Sequence, residues 1–243
     1  MKEEKIPSLT EKIRIFALGG LDEDGKNLFC VEVDQSIYVI EAGIKFPDNK
    51  ESLGIEFIIQ DFTYLVENKD RVAAIFITHG HDDVMGALPY LLKQVPCDVY
   101  TAPLAVKEVQ KMIRQEHISG VRVHSVKRNE KKRIGKRRIV FFPITHAYPG
   151  TFGLAIQTDQ GYIVYSGEFI EDYDDLEDAY RADFTTISEI GNEGVLALLQ
   201  ESKGAERSGH TSPNHRIAPK LLQVLETHEQ KRVFVSVYNQ SVY

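Results

Sequence analysis

Four apolar runs in this chain each stop at a side chain able to hold a metal ion or move a proton. SIYVIEAG (36–43) runs into Glu41, VAAIFITH (72–79) into His79, RIVFFPITH (138–146) into His146, and GYIVYSGE (161–168) into Glu168. Runs of this length and β-branched content read as strands buried on both faces. Turns and helical stretches such as MGALPYLLKQ (85–94) separate them. That alternation is expected of an α/β or layered α+β fold. If the strand ends lie along one sheet edge, the polar groups converge on one point, where open sheets tend to place their sites. A lone histidine past a strand is more often structural than a ligand. Three histidines, two carboxylates and a repeated ITH favour a metal site over coincidence.

The second run continues as THGHDDV (78–84), with His79 and His81 one residue apart and Asp83 two further on. All three side chains can ligate a divalent metal. Val84, where a further ligand would complete the cluster, cannot. In DEDG (22–25) the alternating spacing and terminal Glu of a calcium loop are missing, so it reads as a strand connection. EDYDDLED (171–178) reads as the start of a helix, where carboxylates suit the dipole. His210 and His215, in a loop with Ser and Pro, are assigned no metal.

Composition narrows the setting. The net charge of −7 argues against a generally basic nucleic-acid-binding surface. One segment opposes it: KRNEKKRIGKRR (127–138) carries eight basic residues and one acid, Glu130. Its composition favours a solvated hairpin over a phosphate-facing stripe. No apolar run approaches the ~20 residues that span a bilayer, and the N-terminus lacks a signal-peptide apolar core, which predicts a cytoplasmic protein without membrane contact. Cys30 and Cys97 follow no metal spacing and read as unpaired core thiols.

The chain resembles the metallo-β-lactamase fold, an αββα sandwich, and within it the nucleic-acid-processing ribonuclease J family. The resemblance rests on ALGGLDEDGKN (17–27), IEAGIKFP (40–47), THGHDDVMGALPY (78–90), ITHAYPGTFGLAI (144–156), IVYSGEF (163–169) and LALLQESKGAERSGHT (196–211), in that order. It implies that residues 1–205 are the N-terminal part of a lactamase domain and that 206–243 begin an inserted β-CASP domain. The chain stops at VFVSVYNQSVY (233–243), within what reads as an apolar strand. The family pattern has over half its length still to run, so a truncated and inactive piece is expected.

The resemblance also implies a dinuclear zinc or manganese centre that hydrolyses RNA phosphodiesters, 5′-to-3′ or endonucleolytically. His79, His81 and His146 would hold one ion, with Glu168 in the bridging place. Asp83 would remain for the second, and Asp83 and Glu168 are the candidate catalytic carboxylates. The family's histidine is Val84 here, and three of its aspartates are Glu41, Glu168 and Glu201. Such changes match the second, less active ribonuclease J paralogue of Gram-positive bacteria. They predict at most one metal site and weak activity, with Glu41 supporting a ligand histidine. The alternative is a largely non-catalytic subunit lending fold and RNA surface to an active paralogue. Expected partners are RNA, that paralogue or a second copy, and an RNA degradosome. A small-molecule hydrolase is disfavoured by AERSGHT (205–211), which resembles the start of a nucleic-acid-specific insertion.

Overall fold

The structure, a computed structural model, describes residues 11–47, 54–170, 177–209 and 217–236. Among them, strands β1 (Ile13–Gly19), β2 (Leu28–Val33), β3 (Ser36–Ile40), β4 (Val72–Ile77), β5 (Val99–Thr101) and β6 (Val123–Ser125) form one sheet in that order. A second sheet runs β11 (Val195–Leu199), β10 (Gly161–Tyr165), β9 (Phe152–Thr158), β8 (Arg137–Pro143) and β7 (Lys131–Ile134). Helices α1 (Thr63–Glu67), α2 (Asp82–Met85), α3 (Leu88–Gln94) and α4 (Val106–Gln115) interrupt the first sheet. Helix α5 (Phe184–Glu193) precedes β11, and α6 (Ile217–Thr227) follows it.

The period of two along each strand builds the layers. In the first sheet Cys30, Ile37, Val39, Ile75 and Ile77 face a core with Leu65 of α1, Leu88 and Leu91 of α3 and Val109 of α4. Their neighbours Val31, Tyr38, Ile40, Ala74 and Phe76 point the other way, onto Ile139, Phe141, Leu154, Ile156 and Ile163 of the second sheet. That sheet's opposite face, with Val140, Phe142, Ala155, Tyr162 and Val164, packs on Ile190 of α5. Helix, sheet, sheet and helix are the four layers of an αββα sandwich. The central strands of both sheets are buried on both faces, which explains why the four strands read as unbroken apolar runs.

The DEDG segment is the expected connection between β1 and β2, whose register closes at Gly19 and Leu28. Cys30 is buried and Cys97 half-buried, and burial pushes both thiols up to about 12, the behaviour of unreactive core sulfurs. The basic segment is a hairpin, β7 pairing with β8 antiparallel. Much of its charge is spent internally. Arg137 pairs with Glu11 and Asp34, Lys131 with Glu189, and Arg128 donates to the carbonyls of Asp178 and Arg181. Lysine along β7, at the sheet's edge, also discourages edge-to-edge pairing.

Two expectations are corrected. The acidic stretch begins no helix where it is described: Asp178 lies in a turn and α5 starts at Phe184, while 171–176 lie outside the described residues. Residues 232–236 form no strand, and 237–243 lie outside the described residues, as do His210 and His215. Among the described residues, no helix is long and apolar enough to cross a membrane.

Asp183 caps α5, accepting the backbone N–H groups of Thr185 (3.0 Å) and Thr186 (3.1 Å) and the side-chain amide of Asn129. Burial opposes its ionisation, but the donors of Thr186 and Asn129 outweigh that and hold the carboxyl below its ordinary value. Such a depressed acid stabilises the fold fully above its unfolded value and loses that contribution as pH falls through the folded one. Asp183→Ala should therefore cost about 1 kcal/mol at pH 7. The difference from the parent should narrow below about pH 4, as checked by urea unfolding across pH. A deficit that persists undiminished in acid would show that the charge is irrelevant.

Candidate metal centre

The four strand ends meet. β4 hands over to Thr78 and His79, and His81 stands immediately before α2. His146 follows β8 by three residues, and Glu168 follows β10 by three. Ligand atoms of His79, His81, His146 and Glu168 all lie within 4.8 Å of one another. The Glu168 Oε2 atom is 3.7 Å from His146 Nε2 and 4.0 Å from His79 Nε2. His79 Nε2 and His81 Nδ1 are 3.2 Å apart. Asp83 is not within that group of four, but its carboxyl meets that of Glu168.

The rings are held from behind. Glu41 is fully buried and accepts both the backbone N–H of Thr78 (3.1 Å) and its hydroxyl (2.6 Å). The Thr78 proton being committed to Glu41, its oxygen is left to accept His79 Nδ1–H at 3.0 Å. That tautomer, assigned from the hydrogen-bond network, turns the Nε2 lone pair toward the cluster. For His146, Nδ1 is engaged by the Tyr148 N–H (3.3 Å) and the Thr151 hydroxyl (3.4 Å), leaving Nε2 toward Glu168. These threonines escaped the sequence reading. The Thr preceding the first histidine in THGHDDV was the available signal, but threonine in a strand is too common to stand out.

The 41–44 loop fixes where α2 begins. Ala42 N–H donates to the Val84 carbonyl (2.7 Å), Ile44 N–H to that of Asp82 (2.9 Å), and Ala87 N–H to that of Ala42 (2.7 Å). The approach is so close that a Cβ on Gly43 would lie 1.5 Å from the Asp83 carbonyl oxygen, which leaves room only for glycine. Glu41 itself takes a left-handed φ of 63°, a strained conformation for this residue and one often found beside functional sites.

A profile of the Beta-lactamase superfamily domain matches residues 47–233. The chain belongs to the β-lactamase superfamily. Within it, the chain is 38% identical over 213 residues to ribonuclease J 2 of Staphylococcus epidermidis, covering 87% of this chain and 38% of that protein. Ribonuclease J 2 of Staphylococcus saprophyticus is 36% identical over 234 residues, or 96% of this chain and 42% of that protein. This similarity supports a ribonuclease J paralogue, and the chain spans about two-fifths of those relatives' length. A solved protein of unknown function from Enterococcus faecalis shares the fold, with a TM-score of 0.61 at 14% identity over 89% of this chain and 58% of that one.

As a superfamily member, the chain has the donors for one divalent ion. Burial, then the neighbouring His146, drives His79 well below its ordinary pKa, so its ring is neutral and free to donate. Burial and His146 lower His81 as well. Burial works to raise Glu168, but the hydrogen bond from His146 leads the contacts that outweigh it and keep this carboxyl low. Three imidazoles and an ionised carboxylate suit a divalent cation of intermediate softness. A second ion does not fit equally well. Burial first, then the adjacent Glu168, raises Asp83 to about 7, which makes it a poorer anionic donor for a second cation. Val84 is buried in the helix-side core beside Met85 and Leu88, and offers no donor. Glu201, another of the departures, is no ligand here; its Oε1 accepts the Phe169 N–H at 2.8 Å and so pins the turn that carries Glu168.

Thr78→Val should weaken binding of a first zinc ion about 10–100-fold in calorimetric titration, while Thr78→Ser keeps it. Equal affinity in both variants would show that the hydroxyl does not orient His79. Val84→His should lower the melting temperature in chelator, since a bulkier polar ring enters a packed core at a cost of about 1–3 kcal/mol. If the new ring also reaches Asp83, zinc should restore much of the loss. A rise with zinc no larger than the parent's, which reports the first site alone, would rule out a recoverable second site.

Proposed function

We propose that the protein is a metal-dependent ribonuclease acting in RNA processing and decay, with the activity held low by the incomplete second site. The observation that carries this is the convergence of His79, His81, His146 and Glu168 at the ends of strands from both sheets. The ribonuclease J 2 names of the relatives supply the substrate class. Zinc or manganese is the expected ion, held by these four residues. Once bound, it supplies Lewis acidity for phosphodiester hydrolysis.

The chain's own groups do the rest. Glu41 and Thr78 hold His79 in the ligating tautomer. Thr151 and the Tyr148 N–H hold His146. Asp83, raised to about 7 by burial and by Glu168, is suited to deliver a proton to a leaving oxygen. Residues 206–243 are assigned to the beginning of a β-CASP domain. The exposed Leu222 and Leu225 of α6 are consistent with a segment whose packing partners lie elsewhere. Cytoplasmic RNA is the natural substrate on this account, cleaved 5′-to-3′ or internally.

The burial of Val84 favours a second possibility, a subunit that binds RNA and an active paralogue while contributing little chemistry. Turnover of a 5′-monophosphorylated RNA by the natural-length protein separates the two. The nuclease predicts metal-dependent cleavage that His146→Ala and chelation both reduce to background. Normal metal content and RNA binding, with no turnover that exceeds the His146→Ala variant, would establish the subunit instead.

A further inference from the structure

A groove of about 730 Å³ opens beside the metal centre, between the β1–β2 connection and the segment following β11. Glu168 lines it, with Phe16, Leu21, Asp24, Tyr165 and Lys203. Acids dominate its polar lining: Asp22, Glu23, Asp24, Glu168, Glu201 and Glu206. A phosphodiester approaching this mouth meets repulsion unless a cation answers it.

Lys203 is placed to do so. Its Nζ is 3.0 Å from Asp24 Oδ1 on the facing wall, so the ammonium is held across the groove mouth. Glu201, two residues earlier, accepts the N–H of Phe169, which ties this segment to the backbone next to Glu168. The pair with Asp24 is exposed at both ends, 67% and 76%, and therefore weak enough to open for a competing anion. Arg207 also lines the groove, but it pairs with its own neighbour Glu206 rather than across the groove, and lies farther along the chain from Glu201.

We propose that Lys203 binds a non-bridging phosphate oxygen of the RNA at the mouth of the metal centre, in the groove that Glu168 lines. A fixed ammonium there does part of what a second cation would do, neutralising the phosphate as it enters. Asp24 keeps the lysine poised until substrate displaces it. The proposal rests on the nuclease reading only for its ligand class and makes its own claim about one side chain. Lysine serves as a point charge here, so arginine should be an adequate substitute.

The test uses the natural-length protein in chelator, where no turnover intervenes, with a fluorescent 5′-phosphorylated oligoribonucleotide followed by anisotropy at several salt concentrations. Lys203→Met should weaken binding about tenfold and reduce the slope of log affinity against log salt by about one phosphate contact. Lys203→Arg should restore both, and Lys93→Met, an exposed lysine outside the groove, should change neither. Thermal melting checks that the variants are folded. An unchanged affinity and slope in folded Lys203→Met, with the parent binding and cleaving RNA normally, overturns the role of Lys203 while leaving the nuclease intact. A parent that neither binds nor cleaves the RNA overturns both.

Discussion

Glu41 accepts two hydrogen bonds from Thr78, and much of the centre's order follows from that contact. β3 and β4 are parallel neighbours, so their carboxyl ends emerge side by side. A carboxylate at the end of one strand can then reach the backbone and hydroxyl at the end of the next. The cost is high, because a fully buried carboxyl is pushed well above its ordinary pKa by desolvation before the Thr78 donors partly offset it. The Thr78 donors satisfy both of its oxygens, as a buried polar group requires, and they fix the hydroxyl that faces His79 Nδ1. Placement of the first ligand therefore depends on a residue that touches no ligand atom itself.

The same loop couples this support to the second half of the site. Gly43 lies against the Asp83 carbonyl while Ala42 and Ile44 bind the first turn of α2, so the backbone carrying His81 and Asp83 is clamped to the backbone carrying Glu41. Rigidity of this kind suits a site whose ligands come from different strands, since each must be held within a fraction of an ångström. It also limits repair. A histidine at position 84 would have to fit between the clamp and a packed core, so changing the residue type there does not by itself supply a donor.

The strand ends were legible because periodicity and burial are local properties. β3, β4 and β10 fall within the runs that announced them and β8 starts one residue before its own, and His79, His81, His146 and Glu168 converge as the shared placement implied. Asp83, expected as a ligand, meets the Glu168 carboxyl but stands outside the cluster of four, a distinction of side-chain direction that spacing does not encode. The Glu41–Thr78 contact spans 37 residues, and no local pattern marks which threonine a buried glutamate will meet. Lys203 was equally silent, since its position opposite Asp24 depends on a contact 179 residues apart in sequence. Within the acidic stretch read as a helix start, the described Asp178 lies in a turn, and it is Asp183, farther along, that caps α5.

The basic hairpin has a consequence for how the second sheet can be extended. Its β7 margin is lined by Lys131, Lys132 and Arg133, while β11 at the opposite margin shows Val195, Leu196 and Leu198 to solvent. An added strand at β7 would have to bury charge, whereas one at β11 would cover apolar surface. The sheet thus has a growth direction: one margin is closed by repulsion and the other is receptive. Any segment that enlarges this layer, from the same polypeptide or from another, is guided to the margin nearer Glu201 and Lys203, and so toward the metal centre.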